Sequence, residues 1–81
     1  MSYLDDLADK LAQDVLDAQD KLGEDRLYIE IGGVIAAAST TLEEAFLTAC
    51  RVRLAERRAR DYLVDRVRKA DPPPAGDDRT A

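Results

Sequence analysis

The sequence predicts a small all-α protein, and three observations support this prediction. The chain has 81 residues, enough for one domain with a modest core. Apolar residues recur at helical spacing through two long segments, 2–22 and 41–69. A short apolar segment, 27–38, separates them. We therefore expect a small helical bundle or hairpin with two long amphipathic helices, forming a dimer.

The chain divides into one domain and a tail. Residues 1–70 contain all the periodic apolar sequence, so we expect them to form a single helical domain. Three consecutive prolines at 72–74 end the last helix, because proline cannot continue it. We expect residues 71–81 to be a disordered tail rich in Pro and Asp.

The first helix is predicted over residues 2–22. Its apolar residues alternate spacings of four and three, as in a heptad seam: Leu4, Ala8, Leu11, Val15, Ala18 and Leu22. Ser2 with Asp5 resembles a capping box, and Gly23 stands where a helix commonly ends. The opposite face is acidic and includes Asp6, Asp9, Asp17 and Asp20.

Segment 27–38 fits two kinds of secondary structure. Leu27, Ile29 and Ile31 alternate with polar or aromatic residues, which suits a strand. The segment also carries apolar residues at helical spacing, with Asp25 as a candidate N-cap. A lone strand finds no partner in this chain, so the helix is favoured. The glycine pair at 32–33 weakens a helix but lets another helix approach closely.

The last helix is predicted over residues 41–69. Thr40 with Glu43, or Thr41 with Glu44, forms a capping box at its start. Its main apolar stripe comprises Leu42, Ala45, Ala49, Val52, Ala59, Leu63 and Val67, with Leu47, Cys50 and Leu54 off that stripe. The first half of this helix is thus apolar on several sides and is expected to lie between two neighbours.

The two long helices differ in length, at roughly 30 Å and 43 Å. The last helix is therefore expected to overhang a three-helix core, and its far end still carries apolar residues that favour a partner. The partner is a second copy or another protein, unless the first helix runs along the last one and covers the stripe. The candidate interface residues are Leu47, Cys50, Leu54, Tyr62 and Leu63.

Charge is unevenly distributed. The chain carries 12 Lys and Arg against 17 Asp and Glu, a formal net charge of −5. Residues 1–44 hold 11 acids and 3 bases, whereas residues 45–70 hold 8 bases and 3 acids. The two parts are expected to attract each other, within one chain or between copies. Pairs four residues apart are also expected in the last helix, namely Glu56–Arg60, Arg57–Asp61 and Asp65–Lys69.

Composition disfavours several classes of function. The chain has no His and one Cys, so a catalytic constellation, a metal site and a cofactor site are not expected, and no small-molecule substrate is evident. Its longest nearly apolar run, 31–38, is too short to span a membrane. The abundance of Ala, Asp and Arg suggests a GC-rich bacterial or phage gene. We expect a non-enzymatic cytoplasmic protein.

Three functions remain after these exclusions. The favoured one is a protein–protein interaction module, such as a small regulator, adaptor or assembly subunit, acting through apolar helix faces. The alternative is an acidic inhibitor that mimics nucleic acid through Asp6, Asp9, Asp17 and Asp20. The third is a helix-turn-helix-like DNA binder over residues 34–46. It is disfavoured because Glu43 and Glu44 would face phosphates, and nucleic acid is not an expected partner.

Overall fold

Three helices make up the fold. A computed structural model describes residues 2–70, and in that range it contains α1 (Tyr3–Leu22), α2 (Leu27–Ala36), α3 (Thr40–Ala70) and no strand. The predicted all-α class is confirmed, and segment 27–38 is settled as a helix. The tail predicted for residues 71–81 lies outside the described residues.

The ends of α1 follow local sequence signals. The backbone N–H of Asp5 donates to Ser2 Oγ at 3.1 Å, so Ser2 is the N-cap. At the other end Gly23 adopts φ = 68°, a left-handed conformation that glycine reaches without strain. Its N–H donates to the Gln19 carbonyl at 2.8 Å. Both boundaries of this helix were predictable from these residues.

The start of α2 corrects the predicted cap. Asp25 does not cap this helix, because Arg26 occupies the N-cap position and makes no side-chain hydrogen bond there. The cap comes instead from α1, since Gln19 Oε1 accepts the backbone N–H of Tyr28 at 2.7 Å. The chain turns at Gly23 and brings the first turn of α2 beside the last turn of α1.

The start of α3 also differs from the predicted capping boxes. The helix begins at Thr40, one residue earlier than predicted, so Ser39 takes the capping position in place of Thr40 or Thr41. Ser39 Oγ accepts the backbone N–H of Leu42 at 3.1 Å. Ser39 is therefore the N-cap, the position that the sequence predicted for Thr40 or Thr41.

The core is small and draws on all three helices. Its buried residues are Ala8, Ala12, Val15 and Leu16 of α1, Ile35 of α2, and Phe46 and Cys50 of α3. The small Ala8 and Ala12 of α1 belong to the same buried cluster as the large Phe46 side chain. A Cβ atom on Gly32 would lie 3.0 Å from Leu47 Cδ2, so this glycine permits the predicted close approach of α2 to α3.

The helix α1 lies across α3 instead of along it. One flank of α1 places Leu11 beside Leu42, and the other flank places Asp9 against Arg53, more than two turns further along α3. Every residue in 58–70 is exposed. The alternative in which the first helix covers the whole apolar stripe is therefore wrong, and α3 overhangs the core as its length predicted.

Candidate interaction surface on the overhang of α3

Residues 58–70 form the overhang, the part of α3 that extends beyond the core. It is about 20 Å long, and all its residues are exposed. Four large apolar side chains stand on it, namely Tyr62 (65% exposed), Leu63 (59%), Val64 (46%) and Val67 (57%). Leu63 and Val67 are four residues apart and share one face of the helix, and exposed apolar side chains that share a face are typical of a protein-binding surface.

A heptad-like seam runs along α3 onto the overhang. It consists of residues spaced alternately four and three apart, Val52, Glu56, Ala59, Leu63, Arg66 and Ala70, with Val67 beside it. All of them are exposed. This spacing keeps side chains on one side of a helix and is the pattern that helices use to pair with each other.

The seam leads into a cleft between α1 and α3. The cleft is open, has a volume of about 510 Å³, and is lined on the α1 side by Asp9, Gln13, Leu16 and Asp17. Val52 and Glu56 of the seam line its α3 side. Glu56 also borders a shallower depression with Ala59 and Leu63 on the overhang. The two hollows thus form one continuous surface along α3.

The five predicted interface residues have different environments. Tyr62 and Leu63 lie exposed on the overhang. Leu54 is half-buried, and Leu47 is half-buried against Gly32 of α2. Cys50 is fully buried in the chain's own core. The prediction that Cys50 belongs to an interface is therefore corrected. Cys50 and Phe46 lie at the centre of the inward face of α3, so Cys50 has no exposed surface with which to contact a partner.

The environment of Cys50 is that of a structural thiol. Burial raises the pKa of this thiol to about 11, and the nearby Arg51 and Arg53 offset only part of the effect. The thiolate is the nucleophilic form of cysteine. A thiol with this pKa is almost wholly protonated at neutral pH. Cys50 is therefore suited to packing in the core and not to acting as a nucleophile.

Part of the acidic face of α1 is engaged within the chain. Asp9 accepts two hydrogen bonds from Arg53, from Nε to Oδ1 and from Nη2 to Oδ2, both at 2.9 Å. These bonds hold the pKa of Asp9 below its ordinary value. Arg57 Nη1 lies 3.3 Å from Asp20 Oδ1. Asp6 and Asp17 are exposed. Two of the four carboxylates that a nucleic-acid mimic would present are therefore partly neutralised.

The ion pairs of α3 follow the predicted spacing with one exception. Glu56 pairs with Arg60. Lys69 Nζ lies 3.0 Å from Asp65 Oδ2. The predicted Arg57–Asp61 pair is wrong, because Arg57 reaches Asp20 on α1 instead. The spacing of four residues relates side chains on one helix only, so it could not indicate that Arg57 has a partner on α1.

Metal, membrane and DNA binding were the other possibilities that the sequence raised. Among residues 2–70, no three His, Cys, Asp or Glu side chains are grouped so that they could hold a metal ion. No helix in this range has the length and apolar character needed to cross a membrane. The first turn of α3, which would read DNA in a helix-turn-helix protein, carries the half-buried Glu43 and the exposed Glu44.

The architecture defines a class of protein, a small three-helix protein whose last helix projects an apolar, basic end beyond the core. A scan against protein-family models, a search of curated proteins and a search of solved structures found no match for this chain. Function is therefore inferred from the surface of α3 itself.

Proposed function

We propose that this protein is a non-enzymatic protein–protein interaction module that binds another helix through the overhang of α3. The observation that supports the proposal is the group of four exposed apolar side chains on a helix that its own core leaves uncovered. Such a module acts as a small regulator, adaptor or assembly subunit. The proposal includes a cytoplasmic location, in keeping with the sequence.

The energetics of the surface favour binding. Burial of a Leu or Val side chain contributes about 1.5–3 kcal/mol, so covering Leu63 and Val67 gives a useful part of a binding free energy. Association also has an entropic cost, so a partner must cover more than these two residues. The seam supplies that extent, because it continues from the overhang to Val52 and the cleft beside α1.

Charge gives the surface a preference among partners. The overhang carries five basic and two acidic residues. Complementary charge directs encounter and orientation more than it adds affinity. A suitable partner therefore presents acidic residues beside its apolar surface. A second copy of this chain meets this condition through α1, which carries six acids and two bases, and a different protein is the other candidate.

The other two functions are weaker proposals. An acidic mimic is left with Asp6 and Asp17, since Asp9 and Asp20 are engaged with arginines of α3. A helix-turn-helix DNA binder would place the acidic first turn of α3 against phosphates. A gel shift at low salt with duplex DNA tests the latter directly, and we expect no shifted band.

The proposal is tested with two variants that make the same chemical change. Val67→Asp places a charge on the overhang, whereas Val34→Asp places it on the exposed surface of α2, where Val34 is 70% exposed. Each tagged protein is used to capture binding proteins from an extract of the cells that make it, with identification by mass spectrometry. We expect wild type and Val34→Asp to retain the same partner and Val67→Asp to lose it.

Two outcomes contradict the proposal. One is that Val67→Asp retains the partner as well as wild type does, which would place the binding surface elsewhere. The other is that wild type captures nothing and does not associate with itself. Circular dichroism of each variant controls for folding, which we expect to be unaffected because both valines are exposed.

A further inference from the structure

We infer that the overhang binds a second copy of this chain, and that the two α3 helices pair antiparallel with Leu63 of each copy opposite the partner's Ala59. The inference rests on the proposed function of the overhang and specifies its partner. Three features of the described residues support it, namely the spacing of the seam, its charges and the position of the cleft.

The spacing of the seam is symmetric about the level of residue 61. An antiparallel pair centred there sets Leu63 opposite the partner's Ala59, and Val52 opposite the partner's Ala70. A large side chain then meets a small one at each of these positions. Such alternation lets facing layers interdigitate without voids. The same pairing is repeated on the other side of the axis, as a two-fold interface requires.

The charges of the seam favour the antiparallel orientation over the parallel one. In the antiparallel pair Glu56 faces the partner's Arg66, and this contact occurs twice. In a parallel pair in register, Glu56 would face the partner's Glu56 and Arg66 would face the partner's Arg66, so both contacts would join like charges. Like charges at an interface suppress that arrangement.

The cleft receives the end of the partner helix. Antiparallel pairing sets the partner's last turn, residues 66–70, over Val52 and Glu56, where the cleft between α1 and α3 opens. That turn carries three basic residues. Asp17 is the exposed carboxylate on the α1 wall of the cleft, since Asp9 is already paired with Arg53, and Arg53 and Arg57 line the α3 wall. The helix α1 as a whole has six acids and two bases. The basic end of one copy thus meets the acidic helix of the other.

Sedimentation equilibrium and charge exchange test the inference. We expect wild type to have twice its 9.0 kDa chain mass at micromolar concentration. Arg66→Glu sets Glu against the partner's Glu56, so its dimer dissociation constant should rise about tenfold or more. Adding Glu56→Arg in the same chain restores opposite charges at both contacts and should return the constant to within about threefold of wild type.

Arg58→Glu is the matched control, because Arg58 is exposed on the overhang but lies off the seam. It changes net charge by the same amount and should leave the dissociation constant within about twofold of wild type. Circular dichroism confirms that each variant is folded. If the double variant fails to fold, the comparison of Arg66→Glu with Arg58→Glu decides the outcome.

The results separate this inference from the proposed function. A wild-type chain that stays monomeric up to about 100 μM overturns the dimer. It leaves the overhang as a surface for a different protein, which the capture experiment with Val67→Asp tests. A dimer that responds equally to Arg66→Glu and Arg58→Glu, or that a folded double variant does not restore, overturns the antiparallel register.

Discussion

At the scale of single residues, Gln19 joins α1 to α2. It is only 6% exposed, and its side-chain Oε1 accepts the N–H of Tyr28 at 2.7 Å. Its backbone carbonyl accepts the N–H groups of Gly23 and Glu24 at 2.8 and 3.1 Å. One residue thus takes part at both helix ends: its own carbonyl, one of the last four of α1, receives donors from the turn, and its side chain accepts one of the first N–H groups of α2.

We therefore expect Gln19→Ala to lower the free energy of unfolding by about 2 kcal/mol, because it removes a cap and leaves the Tyr28 N–H without its acceptor. Urea denaturation followed by circular dichroism measures the change. Gln13→Ala on the exposed side of the same helix is the control and should cost under about 0.5 kcal/mol. Equal decreases in the free energy of unfolding for the two variants would show that the hydrogen bond between Gln19 and Tyr28 adds no measurable stability.

Sequence predicted some caps and missed others for a physical reason. Ser2 and Gly23 act on their own helix, within a few residues, so a local pattern identifies them. Gln19 acts on Tyr28 across a turn, and no local pattern on either helix indicates that contact. The cap at Ser39 was missed for a different reason: it is local, but Ser39, Thr40 and Thr41 are three adjacent capping residues, and the helix begins one residue earlier than predicted.

At the scale of helices, contacts between α1 and α3 fix which face of each is buried. Periodicity predicted that both are amphipathic helices, and the structure confirms this. It did not identify Phe46 and Cys50 as the inward face of α3. The first half of α3 is apolar on several sides, so only the positions of its two neighbours decide which side is buried. Neither α1 nor α2 covers the overhang, so the prediction that its apolar residues are exposed is confirmed.

The Asp9–Arg53 pair gives the α1–α3 contact a dependence on pH. Arg53 lowers the pKa of Asp9 in the folded protein, whereas in the unfolded chain the pKa is about 3.9. The stabilisation is thus complete above about pH 4 and is lost as pH falls through the lower, folded value. Both side chains are substantially exposed, so the pair contributes under about 1 kcal/mol.

We expect Asp9→Asn to be less stable than wild type near pH 7, by under about 1 kcal/mol, and the two to converge as pH falls below about 4. Urea denaturation at a series of pH values measures the difference. Asp14→Asn is the control, because Asp14 is an exposed residue of α1 that belongs to none of the ion pairs within residues 2–70. If the difference in free energy of unfolding between wild type and Asp9→Asn stayed constant with pH, it would not come from ionisation of Asp9.

At the scale of the whole molecule, α3 contributes to two separate parts, the core that it shares with α1 and α2 and the overhang. Among residues 2–70, every buried residue lies between Ala8 and Cys50, and all residues from 58 onward are exposed. The uneven charge seen in the sequence is arranged the same way, with acidic α1 against the core and basic residues concentrated on the overhang. If the proposed function is right, the buried residues serve folding, and partner binding depends mainly on the overhang, together with the cleft beside α1.

A chain shortened to residues 1–61 tests this separation. It keeps every buried residue and one turn of α3 beyond Arg57, so we expect cooperative unfolding with a free energy within about 1 kcal/mol of a full-length monomer. Full-length Val67→Asp is the proper reference, because dimerisation would add a concentration-dependent term to wild type. Thermal and urea unfolding at several protein concentrations measure both quantities. The shortened chain should show no concentration dependence, since it lacks Leu63 and Arg66. A loss of more than about 2 kcal/mol would show that the overhang supports the core, against the division of roles argued from its exposure.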